Sequence, residues 1–363
     1  MRSASIALIA TSLAAAGAAA QPAELENAKV TVVAAEPGNL ARQIRGLASG
    51  APPRWIGWAV PAEDPESRTC CGSWGRNGTL CCGPCPLDRD SSTTTKNDGG
   101  GPSTARLEAP SELLLFARAA GGSVERVRHF SSECRVDAGG KTVLWLTGVR
   151  PEESVAWLDA LAGARAGGHE NSEETDLAEA ALAGIAMHAG PAAERALAAR
   201  IAPGQPDWMR EKAAFWLAAA RGPSGCATLV RAIPADADEG FREQGTFPLS
   251  LCEGGHGIET LIQMARRDAS ADVRAQALFW LAQKAGKKAS EAIDGAIQND
   301  PDTEVKKRAV FALTQMPDGE GVTQLIRIAR INRNPEVREQ AVFWLGQSRD
   351  PRALDFIEQI LTP

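Results

Sequence analysis

The chain has 363 residues, a formal net charge of −6 and a hydrophobic content of 44%. This length suits two domains, and the composition is that of a folded protein rather than a disordered one. Because the charge is acidic and no basic block interrupts the sequence, the cationic surface that binds nucleic-acid phosphates is not expected. Nucleic acid is therefore excluded as a predicted partner.

The amino terminus has the layout of a secretory signal peptide. Arg2 precedes an apolar run at residues 6–16, and small residues at 18–20 stand before Gln21. This order is typical of a leader that is removed during export. We predict cleavage after Ala20 and a periplasmic or secreted product. The apolar run is too short to span a bilayer and no later segment supplies a span, so none is predicted.

Residues 21–163 predict a small α+β domain. Three extended runs are separated by glycine-containing turns, at 112–119, 123–130 and 141–149. Runs of this kind are typical of strands joined by tight turns, and we interpret them as an antiparallel sheet. Residues 25–62 are expected to add a helix and a strand. A further helix begins at Pro151.

Eight cysteines gain meaning from the predicted export, because disulfides persist in oxidising compartments. Five of them cluster in a Gly-, Ser- and Thr-rich loop at 63–103. The full set of candidate disulfide residues is Cys70, Cys71, Cys81, Cys82, Cys85, Cys134, Cys226 and Cys252. The even number is compatible with complete pairing and leaves the connectivity open. Zinc bound by the five clustered cysteines is an alternative, although adjacent cysteine pairs suit a tetrahedral site poorly.

The tetrapeptide Cys82-Gly83-Pro84-Cys85 has the residue order of the thioredoxin active site. Dithiol exchange uses a cysteine at the start of a helix with a second cysteine three residues later. The surroundings favour a disulfide in a loop, because Pro86 and a polar stretch follow where the helix is needed. A thiol–disulfide oxidoreductase is nevertheless the alternative to a function without catalysis.

A 32-residue period runs through the carboxy-terminal half. Phenylalanines mark it at Phe215, Phe247, Phe279, Phe311 and Phe343. Around them, apolar residues at every fourth position predict two amphipathic helices in each unit. Start signals agree, since Asn334 can cap a helix that Pro335 begins, and Ser270 and Asp302 occupy the equivalent place in earlier units.

Six units of this length are predicted, at 172–203, 204–235, 236–267, 268–299, 300–331 and 332–363. One helix pair cannot cover its own apolar face, so the pairs are expected to stack and share a core. The repeated aromatic residues are then packing residues, with an aromatic surface for a ligand as the alternative. In the third unit Gly245 and Pro248 replace alanine and tryptophan, and we expect a bend or looser packing there.

The segments Asp302-Thr-Glu-Val-Lys-Lys-Arg-Ala-Val-Phe-Ala-Leu and Pro335-Glu-Val-Arg-Glu-Gln-Ala-Val-Phe-Trp-Leu resemble HEAT repeats of the short, phycobilin-lyase-like type. The resemblance implies an all-α, right-handed α-solenoid of about six helix pairs at 164–363, in an exported bacterial protein. HEAT-like deoxyhypusine hydroxylases bind two irons through repeated His-Glu pairs, whereas this chain has one such pair at 169–170. We therefore expect no catalysis, no metal and no cofactor.

A basic residue recurs one position after the first core residue of five units, at Arg210, Arg242, Arg274, Lys306 and Arg338. The resemblance to HEAT repeats implies that these residues form a ladder between repeats with acidic neighbours. An anion-binding stripe is the alternative. Cys226 and Cys252 are expected on one edge of adjacent units, either joined by a disulfide or as two buried thiols.

Polar residues of the second helix of each unit line the inner curve of similar solenoids. Here the candidate partner-binding residues are Arg231, Gln263, Arg266, Arg327, Arg330 and Gln359. We predict that this surface makes the chain a scaffold for a protein or peptide of the cell envelope, with an acidic or polar partner favoured. An ordinary solvated face is the alternative. The sequence leaves the oligomeric state open.

Overall fold

The structure is a computed structural model that describes residues 25–49, 52–63, 68–70, 73–75, 85–88, 112–132, 134–167, 173–284 and 287–362. The predicted signal peptide and most of the loop at 63–103 lie outside these residues. The chain forms two compact units, and the long helical unit begins at Pro151 and also includes residues 61–63. The predicted boundary after residue 163 would cut the helix at 151–164, so the division lies earlier than the sequence suggested.

The strands, in chain order, are β1 (Leu25–Glu26), β2 (Lys29–Ala34), β3 (Arg54–Pro61), β4 (Arg68–Cys70), β5 (Ser73–Gly75), β6 (Cys85–Pro86), β7 (Glu112–Ala120), β8 (Ser123–Ser131), β9 (Val136–Asp137) and β10 (Thr142–Thr147). Helix α1 (Leu40–Ala48) lies between β2 and β3. Five strands form the main sheet, in the order β2-β10-β3-β7-β8. A smaller sheet has the order β1-β9-β6, and β4 pairs with β5.

The main sheet is mixed, so the prediction of an antiparallel sheet is wrong in part. Strands β7 and β8 form the expected antiparallel hairpin, but β10 pairs in parallel with both β2 and β3. Strands β2 and β3 are therefore parallel to each other on the two sides of β10, and parallel strands need a crossover connection, which contains α1 here. Residues 25–62 thus contribute two strands of this sheet rather than one.

Large aromatic residues fill the core of the first unit. Trp55, Phe116 and Trp145 are fully buried, and the ring centroids of Phe116 and Trp145 are 6.0 Å apart. Gly57 lies opposite them in β3. A Cβ atom at this position would stand 2.9 Å from both rings, so the backbone can approach them only because the residue is glycine.

The second unit is helical in the part that the structure describes. Its helices are α2 (Pro151–Ala164), α3 (Glu173–Met187), α4 (Pro191–Arg200), α5 (Asp207–Ala220), α6 (Gly222–Ala235), α7 (Glu239–Leu251), α8 (His256–Arg267), α9 (Ala271–Ala282), α10 (Lys287–Asn299), α11 (Thr303–Leu313), α12 (Glu320–Ile331), α13 (Pro335–Gln347) and α14 (Pro351–Leu361). Each predicted 32-residue unit contains two of them, from α3 and α4 to α13 and α14. The N-caps predicted at Ser270, Asp302 and Asn334 are confirmed, because each side chain accepts a hydrogen bond from a first-turn N–H.

Helices of successive units pack side by side. We call α3, α5, α7, α9, α11 and α13 the first helices and their partners the second helices. Each first helix contacts the next first helix, and most second helices contact their successors in the same way. Helix α2 packs against α3 and α4. The apolar residues of each pair, such as Leu217, Leu249 and Leu281, are fully buried between units.

A small residue lies where each second helix crosses the end of its first helix. A Cβ atom on Gly225, Gly257 or Gly321 would stand within 2.1 Å of the carbonyl oxygen of a leucine in the preceding helix. The same register position carries a buried alanine in the other units, at Ala193, Ala289 and Ala353. This 32-residue spacing of small residues was missed in the sequence, although it is visible there.

We expect Gly257→Ala to destabilise the protein by about 1–3 kcal/mol, because the new methyl group forces α7 and α8 apart. Gly295→Ala is the matched control: it also lies within a second helix, but nothing lies within 4 Å of its added Cβ. Alanine there should raise the stability by up to about 1 kcal/mol, since glycine is the poorer helix former. Urea unfolding followed by circular dichroism measures both. A Gly257→Ala protein as stable as wild type would contradict the close approach.

The irregular third unit differs less than expected. Helix α7 runs on through Pro248 and ends at Leu251, so the proline does not break it. Gly245 leaves room for the neighbouring α6, since a Cβ atom at this position would stand 2.6 Å from Ile233 Cγ2. The glycine is therefore explained by packing between adjacent units.

Candidate functional site

The second helices present the six residues that the sequence predicts to bind a partner. All six are exposed: Arg231 on α6, Gln263 and Arg266 on α8, Arg327 and Arg330 on α12, and Gln359 on α14. They lie on the side of each helix opposite the buried residues, such as Leu229, Leu261 and Leu325, because an amphipathic helix exposes one face when it packs. The structure thus distributes these residues over several second helices and does not gather them at one point.

The two arginines of α12 are engaged within the stack. Arg327 forms an ion pair with Asp294 of α10, and Arg330 donates a hydrogen bond of 2.9 Å to Gln359 Oε1. The guanidinium group of Arg330 also stands 5.3 Å from the ring centroid of Phe356. These side chains therefore connect neighbouring second helices. They are less available to bind a partner than the sequence predicted.

A groove between α8 and α10 brings two of the predicted residues together. It has a volume of about 300 Å³ and is lined by Glu259, Ile262, Gln263, Arg266, Arg267, Lys288 and Glu291. Lys288 Nζ lies 3.3 Å from Glu259 Oε1, which partly neutralises both charges. Among the residues that the structure describes, neither Arg266 nor Arg267 has a bonded carboxylate. The groove therefore offers two guanidinium groups and one amide.

The basic residues of the first helices form a ladder with aspartates of the next unit. Arg242 Nε donates to Asp268 Oδ2 at 2.9 Å, and Arg274 Nε donates to Asp300 Oδ2 at 2.8 Å. Each arginine also donates to a carbonyl of its own unit, as Arg274 does to Asp268 O at 3.0 Å. Asp268 thus receives bonds from two successive units.

The ladder begins at Arg210, which is buried, pairs with Asp236 and Asp238 and stacks on Phe241 at 3.7 Å. The fourth step of the ladder differs, because Lys306 stands in place of arginine and Asn332 in place of aspartate. No bond joins these two side chains in the described part of the protein. Arg338 donates to Asn332 O at 2.8 Å. The ladder arginines are occupied within the protein, which favours their structural role over an anion-binding stripe.

The charges of the ladder shift one another's pKa values. Burial acts to raise the pKa of Asp268, but its bonds from Arg242 and from the Ser270 N–H outweigh burial and hold the pKa below its ordinary value. Hydrogen bonding to their aspartates raises the pKa of Arg242 and of Arg274. Asp268 and the two arginines are therefore charged throughout the physiological pH range.

The repeated aromatic residues contact one another along the first helices. Phe215 stacks on Phe247 at 6.2 Å, and Phe279 stacks on Phe311 at 6.3 Å. Between these pairs, Trp280 lies 4.7 Å from Phe247, and Trp344 lies 5.0 Å from Phe311. Phe343 differs in being 54% exposed. Because the rings pack against each other, contacts between units account for the repeated aromatic residues.

The structure joins Cys226 and Cys252 by a disulfide with a Cα–Cα distance of 5.6 Å, between the start of α6 and the end of α7. Cys85 is disulfide-bonded and buried in β6, which is a strand and not the start of a helix. Cys134 is buried. The side chains of Cys70, Cys71, Cys81 and Cys82 lie outside the described residues.

A buried polar cluster, which the sequence analysis missed, lies at the start of the helical unit. His188 is completely buried; its Nδ1 stands 2.7 Å from Gly184 O and its Nε2 stands 2.8 Å from Ser154 Oγ. Because a carbonyl only accepts, Nδ1 carries the hydrogen and Nε2 accepts from the serine hydroxyl. The pKa of His188 is lowered from 6.5 to about 4; burial is the main cause and the charge of Arg221 adds to it, while the bond to Gly184 acts to raise the pKa.

Arg221 connects this cluster to the segment at 61–63. Its guanidinium group donates to His188 O at 2.6 Å and to Gly190 O at 2.8 Å, and it lies 3.1 Å from Glu63 Oε2. Backbone bonds between 61–63 and 187–189 complete the connection. The 32-residue period does not mark these residues, since the equivalent of Arg221 is an arginine in the sixth unit alone, at Arg349.

Two further features, a membrane-spanning helix and a metal-binding cluster, are not found among the described residues. None of the helices there is long and apolar enough to cross a bilayer. No group of three His, Cys, Asp or Glu side chains in the same part of the chain is placed to hold a metal ion.

Comparison with known proteins finds a family match for the last part of the repeat region. Residues 293–363 match the family model described as HEAT repeats. The solved complex of CpcE and CpcF of phycocyanin lyase from Nostoc sp. PCC7120 is similar at 20% identity and a TM-score of 0.34, covering 44% of this chain and 98% of that chain. Human deoxyhypusine hydroxylase in complex with glycerol is similar at 14% identity and a TM-score of 0.27, covering 57% and 90%. Curated protein sequences gave no match. The carboxy-terminal residues 293–363 are thus HEAT repeats by family model as well as by period.

Proposed function

We propose that the chain is an exported HEAT-repeat scaffold that binds a protein or peptide of the cell envelope and catalyses no reaction. In this proposal the helix pairs form a right-handed α-solenoid of about six units. The observation that carries it is the row of exposed polar side chains on four of the second helices, α6, α8, α12 and α14, from Arg231 to Gln359. Such a row offers an extended surface, which fits a polypeptide better than a small molecule.

The buried cluster at His188 supports a function without catalysis. Ser154 and His188 have the spacing of a nucleophile and its base, but both side chains are 0% exposed. A substrate cannot reach an enclosed pair. The cluster instead ties α2, α3 and the segment at 61–63 together, and we assign it a structural role.

Crosslinking tests the binding role. A photo-crosslinking amino acid is placed at Gln263 or at Gln359, both exposed on second helices, and at Gln244, which is exposed on the first helix α7. Cells producing the full chain are irradiated, and adducts are analysed by mass. We expect discrete adducts from Gln263 and Gln359 and none from Gln244. Adducts from Gln244 alone, or from no position, would contradict the proposed surface.

Export is tested separately on the same full chain. The signal-peptide layout at the amino terminus supports a mature protein that begins at Gln21. We expect the tagged protein in the envelope or culture fraction, with an amino-terminal sequence starting Gln-Pro-Ala. A cytoplasmic protein that retains Met1 would overturn this part of the proposal.

A further inference from the structure

The cations of the second helices differ in whether the protein itself satisfies them. Arg327 is held by Asp294, and Arg330 is held by Gln359 and Phe356. Arg266 and Arg267 are exposed on α8, and no hydrogen bond or ion pair joins either of them to another described residue. Arg195 on α4 and Arg231 on α6 are exposed in the same way, but α8 carries two such arginines side by side, so among the described second helices the positive charge available to a partner is densest there.

The groove beside these arginines has the size and chemistry of a side-chain pocket. Its volume of about 300 Å³ is at the lower end of the range for ligand sites. Ile262 contributes a partly buried apolar surface, and Gln263 contributes an amide that can bond a peptide backbone. A guanidinium group pairs with a carboxylate through two parallel hydrogen bonds, so two adjacent arginines favour an acidic side chain.

The carboxylates in the groove restrict what kind of anion fits. Glu259 of α8 and Glu291 of α10 line the groove together with the arginines. A polyphosphate chain, which carries a charge at every unit, would meet both carboxylates and be repelled. A peptide can place one carboxylate at the arginines and uncharged residues elsewhere.

We propose that the groove between α8 and α10 binds an extended peptide segment in which an acidic residue stands next to an aliphatic one. The carboxylate pairs with Arg266 and Arg267, and the aliphatic side chain packs on Ile262. This inference rests on the proposed scaffold function and names the chemistry of its partner.

A defined probe tests the inference. The fluorescence anisotropy of a labelled peptide of alternating Glu and Ile residues is titrated with the full chain, beside peptides with Gln or Lys in place of Glu. We expect binding of the Glu peptide alone, weakening as salt is added. Arg266→Glu should weaken this binding by about tenfold or more, the factor that corresponds to one moderate charge-assisted contact. Arg266→Lys should retain most of it.

Arg327→Glu is the matched control, because it makes the same charge change on another second helix whose arginine is already paired. Its effect on the dissociation constant should stay within about twofold. Equal weakening by both variants would mean that only net charge is sensed and would overturn the inference. So would equal binding of the Glu and Gln peptides.

The failure of this inference is distinguishable from the failure of the scaffold function. Crosslinked adducts at Gln359 without binding of the Glu peptide would leave the scaffold function standing and overturn the groove. Absence of adducts at both Gln263 and Gln359 would overturn the scaffold function itself.

Discussion

Replacing Arg274 with methionine should lower the free energy of unfolding by about 3–5 kcal/mol, which is the usual cost of leaving one member of a buried ion pair without its partner. The Asp300 side chain is 5% exposed and accepts two hydrogen bonds from Arg274, at 2.8 and 3.0 Å. Without the guanidinium group, this carboxylate is left in a site with little water and without its ionic partner. The urea midpoint of the helical circular dichroism signal measures the loss.

Two further variants separate this explanation from a general loss of charge. Arg308→Met removes an ion pair with Asp272 whose side chains are 54% and 51% exposed, and it should cost less than about 1 kcal/mol. The double variant Arg274→Met with Asp300→Leu should regain much of the stability, since apolar side chains of similar size need no partner. Equal losses from Arg274→Met and Arg308→Met would contradict the ladder as a source of stability.

The stability of the protein should fall between pH 6.5 and about pH 4 because of His188. The pKa of this residue is lowered by burial to about 4 in the folded protein, from 6.5 in the unfolded chain. In this window the unfolded chain binds a proton that the folded protein excludes, so acidification favours unfolding. The difference corresponds to about 3 kcal/mol, lost as the pH falls through the window and constant below it.

Comparison with two variants tests this pH dependence. His188→Gln cannot take up the proton, so the slope of stability against pH in this window should flatten, although the protein is less stable at pH 7. His256→Gln changes an exposed histidine at the start of α8 and should leave the slope unchanged. An unchanged slope in His188→Gln would show that another group is responsible. Asp268 of the ladder acts in a lower pH range, because its pKa is held below the ordinary value of ~3.9.

Much of the helical unit could be predicted from the sequence. The 32-residue period placed both helices of each unit and three of the caps, because helix formation depends on local bonds and on one apolar face. The small residues at Gly225, Gly257 and Gly321 keep the same period and could also have been found. The physical reason for these small residues could not be predicted, because it is the close approach of a second helix to a backbone carbonyl of the first helix.

The sequence predicted where the candidate site residues lie, but not which of them are already paired within the protein. Arg266 and Arg327 look alike in the sequence, yet only Arg327 is held by a carboxylate of the preceding second helix. That difference arises from the stacking of adjacent units, which brings Asp294 beside it. The buried cluster at His188 likewise depends on four segments that are distant in the chain.

The amino-terminal sheet shows the same division. Extended runs separated by a glycine turn predicted the β7–β8 hairpin, whose strands are adjacent in sequence. The insertion of β10 between β2 and β3 was decided by the tertiary structure, because hydrogen bonds between distant strands set their order and direction. The sequence by itself determined the repeating helix pairs, since their periodicity is local. Only the tertiary structure decided the mixed sheet, the ladder and the arginines left available, because each depends on which distant groups come within bonding distance.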